Sequence, residues 1–582
     1  MTKKHFLTAS LLIIMAGTLT ACHTATASPA ATLPDSSPTP SKTPERTPAP
    51  TATPVPPTVS PTALGVVHFT VDTGQERAPI SPYIYGTNQD MAGDEAWTAR
   101  RFGGNRTTGY NWENNASNAG SDWKHVNDDW LCQATGTSAA DCNLPGGIVR
   151  HFHEQTLAMG ADYSLITLQL AGYVSRDTDG EVLFKETAPS VRWVPVVYAK
   201  DTPFAFPPDQ NDDAVYMDEE VAYLVSQFGA ADTPTGVRGY SLDNEPGLWS
   251  STHLYLHPKP ATCAELVERS ASLSQAVKNV DPAAEIFGPA LYGAWAYITL
   301  QDAPDWGTIR HEQGYAWFLD YYLDRMHQAS DVAGVRLLDV LDVHWYPEAR
   351  GDGKRIVFGE AGGPAVQAAR MQAPRTLWDP TYEEDSWLAT WNGTFFPLLP
   401  RLQQAVDEYY PGTRLAITEW SYGGGDHVSG GIATADALGI FGKYGVYFAS
   451  QWQVGEVTDY YSAAYRLYRN YDGQKSAFGS IHTFAGTDDI VNSSIYASLA
   501  DENEAQGSLH LIVLNKNLDQ PMQSEFVINS TMAYTHGEAW SFGPTTAKIT
   551  PMPFPGGTIQ ANRFSYTIPA STAVHIILRP AP

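Results

Sequence analysis

The stretch GYSLDNEPGLWS, residues 239–250, decides how this chain folds. Gly239 to Leu242 can build a strand, and the run then breaks on Asp243, Asn244 and Glu245 before Pro246, which has no backbone donor to continue a sheet. A carboxylate is therefore held at the lip of a strand. A second run, RLAITEW at 414–420, ends in the same way on Glu419. Working outward from these two, short apolar runs recur at 83–86, 100–103, 163–170, 237–244, 285–289, 338–346, 414–420 and 447–452, with helical stretches such as 263–280 and 315–328 between them. Eight strands alternating with helices predict an α/β fold of the (β/α)8 TIM barrel type over residues 83–485. A doubly wound open sheet is the alternative, but no Gly-rich phosphate loop follows any of these runs.

Past residue 485 the texture changes. SIYASLADENEAQGSLHLIVLNKN, QSEFVINS and RFSYTIPASTAVHIILRP alternate apolar and polar residues at period two, with turn residues between them. That pattern predicts an accessory antiparallel β-sandwich over 486–582. The segment LGVVHFTVDTG has the same alternation, so residues 64–82 are expected to add one or more strands to the sandwich.

The N-terminus reads as an export signal. Lys3-Lys4, an apolar run from Phe6 to Met15 and the small-residue box Leu19-Thr20-Ala21-Cys22 make residues 1–21 a lipoprotein-type signal peptide, with lipid attached at Cys22. An ordinary secretory signal cleaved nearby is the alternative. Residues 22–63 are a Pro/Thr/Ser-rich linker with almost nothing apolar to bury, suited to act as a semi-rigid spacer. The expected location is the cell surface, with the membrane touched only through the lipidated Cys22. Cys132 and Cys142 can close a short loop, worth roughly 2–3 kcal/mol in the loop-entropy model. Cys263 is left over and is expected as a buried thiol.

A net charge of −27 excludes nucleic acid and anionic membrane as partners and favours an uncharged ligand over an acidic one. The chain also carries 16 Trp and 30 Tyr, whose flat faces suit both core packing and stacking on sugar rings.

In a barrel of this kind the C-terminal strand ends share one basin, so Glu245 and Glu419 can converge across it. Two facing carboxyl groups are the equipment for breaking a glycosidic bond: one attacks the anomeric carbon and the other protonates the departing oxygen. A separation of about 5–5.5 Å gives retention, and roughly 6.5–9.5 Å admits a water and gives inversion. Glu245 is placed to carry the proton, because burial near a second negative charge raises a carboxyl pKa. Asn244 is suited to hydrogen-bond a sugar 2-hydroxyl. His344 or Tyr346, ending the run LDVHWY, can orient Glu419. Trp420 and Trp452, at the ends of ITEW and YFASQW, are expected to bind substrate, as are Trp387 and Trp391 in a long loop suited to stacking on a glucan. No cofactor is required and no catalytic metal is expected. The Asp and Asn groups of NNASNAGSDW are the candidates for a structural calcium.

Longer blocks carry a resemblance: FGGNRTTGYNWENNASNAGSDW (102–123), SLDNEPGLW, EIFGPALYG, LDVHWYP, LWDPTYEEDSW (377–387), ITEWSYGGG, SGGIATADALGIFGKYGVYFASQW (429–452) and YRLYRNYDG. From about residue 65 to the end, the chain resembles glycoside hydrolase family 44. The resemblance implies retaining endo-hydrolysis of β-1,4-glucans such as cellulose derivatives and xyloglucan, with Glu245 as acid/base and Glu419 as nucleophile. It also implies that Trp452 is an aromatic floor beneath the sugar at the cleavage point. A monomer acting on a β-1,4-glucan polysaccharide is the expectation. The competing expectations are a lipid-anchored, non-catalytic β-glycan-binding protein and the same chemistry on mannan or xylan.

Overall fold

The computed structural model describes residues 65–89, 91, 93–358, 361–500, 507–554 and 559–580. The expected signal peptide, Cys22 and the linker lie outside these residues.

Eight strands close into a barrel: β1 (Gly86–Thr87), β2 (Ala99–Phe102), β3 (Tyr163–Leu168), β4 (Gly239–Leu242), β5 (Glu285–Leu291), β6 (Val340–Trp345), β7 (Arg414–Trp420) and β8 (Phe448–Gln451). Every neighbouring pair is parallel, and the ring closes by β8 pairing β1. Such strands are covered on both faces, which is why VLDVHW of β6 is buried at every position despite its Asp and His. Ala99, Tyr163, Leu165, Phe287, Val340, Ala416 and Phe448 form a separate apolar core. They come from the first halves of their strands, so the barrel is plugged at its N-terminal end and polar groups collect at the other.

Two local details differ from the sequence expectation. The run at 83–86 is mostly a turn: Pro82–Ile84 forms a 3-10 turn, capped by Ser81 accepting from the Tyr83 amide, and only Gly86–Thr87 pairs as a strand. Helix 315–328 starts later and runs further, as Phe318–Ala333.

β7 carries an irregularity that matters for the site. Val343 lies opposite Ile417, but the next partner of β6, His344, lies opposite Glu419, so Thr418 is an extra residue. Without this bulge, Glu419 would fall opposite Trp345 and face the surrounding helices. With it, Glu419 faces the barrel axis beside His344.

The second unit is a strand-rich body with its own apolar core, including Phe69, Leu511, Val513, Phe526, Val574 and Ile576. Val67–Asp72 lies between Ile481–Thr487, to which it is antiparallel, and Met522–Asn529, to which it is parallel, so both ends of the described chain meet in one domain. The sandwich begins at Ile481, ahead of the expected boundary at 486, because IHTFAGT already pairs with Ser493–Leu499. Helix Val428–Lys443 is buried along nearly its whole length and lies between the two units. Its Asp436 accepts from Tyr496 at 2.5 Å and pairs with Lys516 at 2.6 Å.

Candidate active site

The end of β4 is set by Asp243. Its carboxylate accepts from the Thr108 hydroxyl (2.6 Å) and from the amides of Leu170 (2.6 Å), Ala171 (3.0 Å) and Asn244 (2.7 Å). These four donors hold two non-glycine residues at positive φ, Asp243 (66°) and Glu245 (45°). Such residues cost of order 1 kcal/mol each and persist only where the surroundings over-determine them. The Glu245 amide then donates to the Ala290 carbonyl of β5 (3.0 Å), and Pro246 opens a 3-10 turn. The result is a carboxyl group turned over the barrel mouth.

Glu245 and Glu419 are both almost fully buried, and a carboxylate oxygen of each lies within 4.8 Å of the other and of His344. Their environments differ. Burial pushes the Glu245 carboxyl up to about 8, with Arg101 opposing and the Asp122 charge adding to the rise. Glu419 has the partners of an anion: Arg101 Nη1 donates to Oε1 at 2.8 Å and the Tyr346 hydroxyl donates to Oε2 at 2.9 Å. Burial and the Glu419 charge push the Tyr346 phenol well above its ordinary range, so it remains a donor.

His344 Nδ1 lies 2.9 Å from Glu245 Oε1 and 3.6 Å from Glu419 Oε2. This contact is a hydrogen bond rather than an ion pair, because burial drives the imidazole down to about 3. Its Nε2 is buried with no hydrogen-bond partner among the described residues. An orphaned lone pair costs less than an orphaned N–H next to a site that can use the proton, which assigns the hydrogen to Nδ1. His344 then donates to Glu245 Oε1 and leaves the carboxyl proton on Oε2.

Arg101, which the sequence reading missed, binds the parts together. Its side chain is wholly buried; Nη1 reaches Glu419, and Nη2 donates to Asn244 Oδ1 at 2.8 Å. The signal was available, since a charged residue inside a barrel strand demands a buried partner. The Gly103-Gly104 pair that follows is explained by contact: a Cβ on Gly103 would stand 2.4 Å from the Arg101 guanidinium carbon, and one on Gly104 would stand 2.7 Å from the Trp452 ring.

Asn244, His344 and Tyr346 thus meet at the carboxyl pair, and half-buried Trp452 packs beside the same loop. Trp420 does not join them. It is fully buried on the outer side of β7 against Phe441 at 5.1 Å, because alternation turns it away once Glu419 faces inward. Trp387 and Trp391, 36% and 68% exposed, sit on the short helix Trp387–Trp391 and flank a third ring, Trp295, at 6.4 and 5.9 Å. Trp295 was missed because YGAWAYITL reads as an ordinary helix start.

The oxygens expected as calcium ligands each accept a hydrogen bond within the protein. The amide oxygens of Asn114, Asn115 and Asn118 accept from Ala116 N (2.9 Å), the Tyr110 hydroxyl (2.9 Å) and Gly120 N (2.8 Å), and Asp122 receives Asn105 on both oxygens. Cys132 and Cys142 form a disulfide across a surface loop, and Cys263 is buried, with burial raising its thiol pKa.

A family model described as glycoside hydrolase family 44 matches residues 116–349. Endoglucanase A of Paenibacillus lautus is 58% identical over 513 residues, covering 88% of this chain and 72% of that protein. The beta-mannanase/endoglucanase A of Caldicellulosiruptor saccharolyticus is 48% identical over 523 residues, and the match spans 88% of this chain but 38% of that longer protein. Among solved structures, a Paenibacillus polymyxa xyloglucanase of family 44, determined with xyloglucan, superposes with a TM-score of 0.86 at 54% identity, covering 89% of this chain and all of that one.

Proposed function

The chain belongs to glycoside hydrolase family 44, and from that premise we propose that this endo-acting enzyme on β-glucans works by double displacement, with Glu419 as nucleophile and Glu245 as acid and then base. One observation carries the reading: a carboxyl that burial raises to about 8 and a second one held by a guanidinium and a phenol each bring an oxygen within 4.8 Å of the other, an approach that favours the close pair of direct attack over the wide pair of an inverting enzyme.

In the first step a Glu419 oxygen bonds to the anomeric carbon while the glycosidic C–O bond breaks, and Glu245 passes its proton to the departing oxygen. Glu245 is then an anion, stabilised by the Nδ1–H of His344. In the second step Glu245 takes a proton from a water that attacks the same carbon. The Glu419–sugar ester breaks and both groups return to their starting states. Arg101 and Tyr346 hold Glu419 in line throughout, and Asn244 is positioned for the sugar 2-hydroxyl. Trp452, whose ring packs against Gly104, supports one sugar face, and Trp387, Trp391 and Trp295 supply further stacking along a chain. β-1,4-glucan backbones, in cellulose derivatives and xyloglucan, are the proposed substrates, taken up by a monomer.

The test is Glu419→Gln and Glu245→Gln assayed on carboxymethyl-cellulose and xyloglucan, with NMR of the first-formed anomer. The reading expects loss of turnover in both variants and a β product from the native enzyme. An α product or an active Glu419→Gln sinks it. The mannanase activity in the name of one relative supports a second polymer, so β-mannan belongs in the panel.

The N-terminal box and the Pro-rich tract support an exported enzyme tethered at Cys22. Radiolabelled palmitate should enter the wild type and not Cys22→Ser, and equal labelling would end that proposal.

A further inference from the structure

Asn88, one residue beyond β1, stands between the backbone that carries Glu419 and the cation that faces it. Its Nδ2 lies 2.8, 3.1 and 3.3 Å from the carbonyl oxygens of Thr418, Ser450 and Gln451, at the ends of β7 and β8. Its Oδ1 accepts from Arg101 Nη1 at 3.0 Å, the same nitrogen that donates to Glu419. The amide orientation is forced by chemistry. A flipped amide would point its oxygen at three carbonyls and its N–H groups at a guanidinium, losing every hydrogen bond. The main-chain amide of Asn88 also donates to the Gln451 carbonyl at 3.0 Å.

Thr418 is the bulged residue of β7, so its carbonyl reports the local backbone turn that brings Glu419 inward. One side chain therefore grips both that turn and the Arg101 plane. The opposite side of Arg101 is closed by Gly103, and its other end by Asn244, which leaves Asn88 as the contact that fixes Nη1 in line with Glu419 Oε1.

We propose that Asn88 is a positioning residue for the attacking carboxylate: it sets the Arg101–Glu419 geometry from outside, without contacting the anomeric carbon. The proposal rests on Glu419 being the nucleophile. Asn88 is part-buried at the rim and outside the apolar cores, so its loss should act on the first chemical step more than on folding.

The experiment measures inactivation by 2,4-dinitrophenyl 2-deoxy-2-fluoro-β-cellobioside, whose activated leaving group needs no acid and so isolates Glu419. Mass spectrometry should find the label on Glu419 of the wild type. Asn88→Ala should inactivate about 10- to 100-fold more slowly, as expected for a reacting group displaced by a fraction of an ångström. Asn88→Asp sets a second carboxylate against the Arg101 nitrogen, and should move the acidic limb of the inactivation profile upward by about one pH unit. Thr87→Val, which removes the neighbouring hydroxyl bond to the Gln89 carbonyl without touching Arg101, should stay within about twofold of the wild type. Asn88→Ser replaces Asn88→Ala should the latter fail to fold. Inactivation of the Asn88 variants at wild-type rate, or an equal slowing in Thr87→Val, overturns the proposal. A label on a residue other than Glu419 overturns instead the assignment of the nucleophile.

Discussion

Replacing Glu245 by Gln should make the protein more stable at neutral pH while removing its activity, and the gain should depend on pH in a defined way. In the folded chain the Glu245 carboxyl keeps its proton to about 8, because burial disfavours the anion; its ordinary value is 4.5. Between these limits the unfolded chain releases a proton that the folded chain holds, so stability falls as pH rises from 4.5 towards 8. At pH 7 the difference is 2.5 pH units at 1.36 kcal/mol each, about 3 kcal/mol. Gln carries no proton to release and its carbonyl can still accept from His344 Nδ1, so it escapes this cost. Thermal melts of wild type and Glu245→Gln in matched buffers from pH 4.5 to 8.5 provide the assay. The two curves should nearly meet at the acid end, separate through neutrality and stop separating above pH 8. Every other titrating group is common to both proteins and cancels in the difference. A gap that is constant with pH, or that widens towards acid, would refute the argument that burial sets the proton on Glu245.

Three other outcomes follow from the same geometry. The basic limb of kcat/KM should fall near pH 8, where Glu245 loses its proton, and a limb near 5 would contradict its role as acid. Tyr346→Phe removes a single donor from Glu419 and should lower kcat about 10- to 100-fold with the fold intact by circular dichroism; unchanged kcat would show the phenol to be structural. Trp391→Ala, at an exposed ring, should change Tm within experimental scatter, consistent with a stability effect of about 0.5 kcal/mol or less. It should raise KM for xyloglucan several-fold and spare short activated cellobiosides, and an equal effect on both substrates would place the ring at the cleavage point instead.

Much of the architecture was legible because it rests on local rules. Arg414–Trp420 and Cys263–Val280 were read to the residue, since one is a β-branched and apolar run buried on both faces and the other opens with Thr262 and Glu265 as a reciprocal cap. The carboxyl pair was legible for a related reason: a Glu at a strand end before Pro246, or at the close of ITEW, is a costly placement that only a shared basin rewards. Trp295 was not legible, because a surface aromatic and a core aromatic look alike in a sequence until neighbouring loops fold over one and not the other.

The sequence by itself determined that the chain makes a parallel barrel, with glutamates at two strand ends and a strand-rich C-terminal unit, because hydrophobic periodicity and chain-breaking residues act over a few positions. Tertiary structure decided which way those glutamates face and which of them keeps a proton. The inserted Thr418 turns Glu419 inward and Trp420 outward, which reverses the expectation for that Trp, and register is a property of two paired strands rather than one. The contrast between Glu245 and Glu419 likewise arises from their partners, since two similarly buried carboxyls differ in that Glu419 receives a guanidinium from β2 and a phenol from the end of β6, and charge acts through space and carries no trace in local sequence.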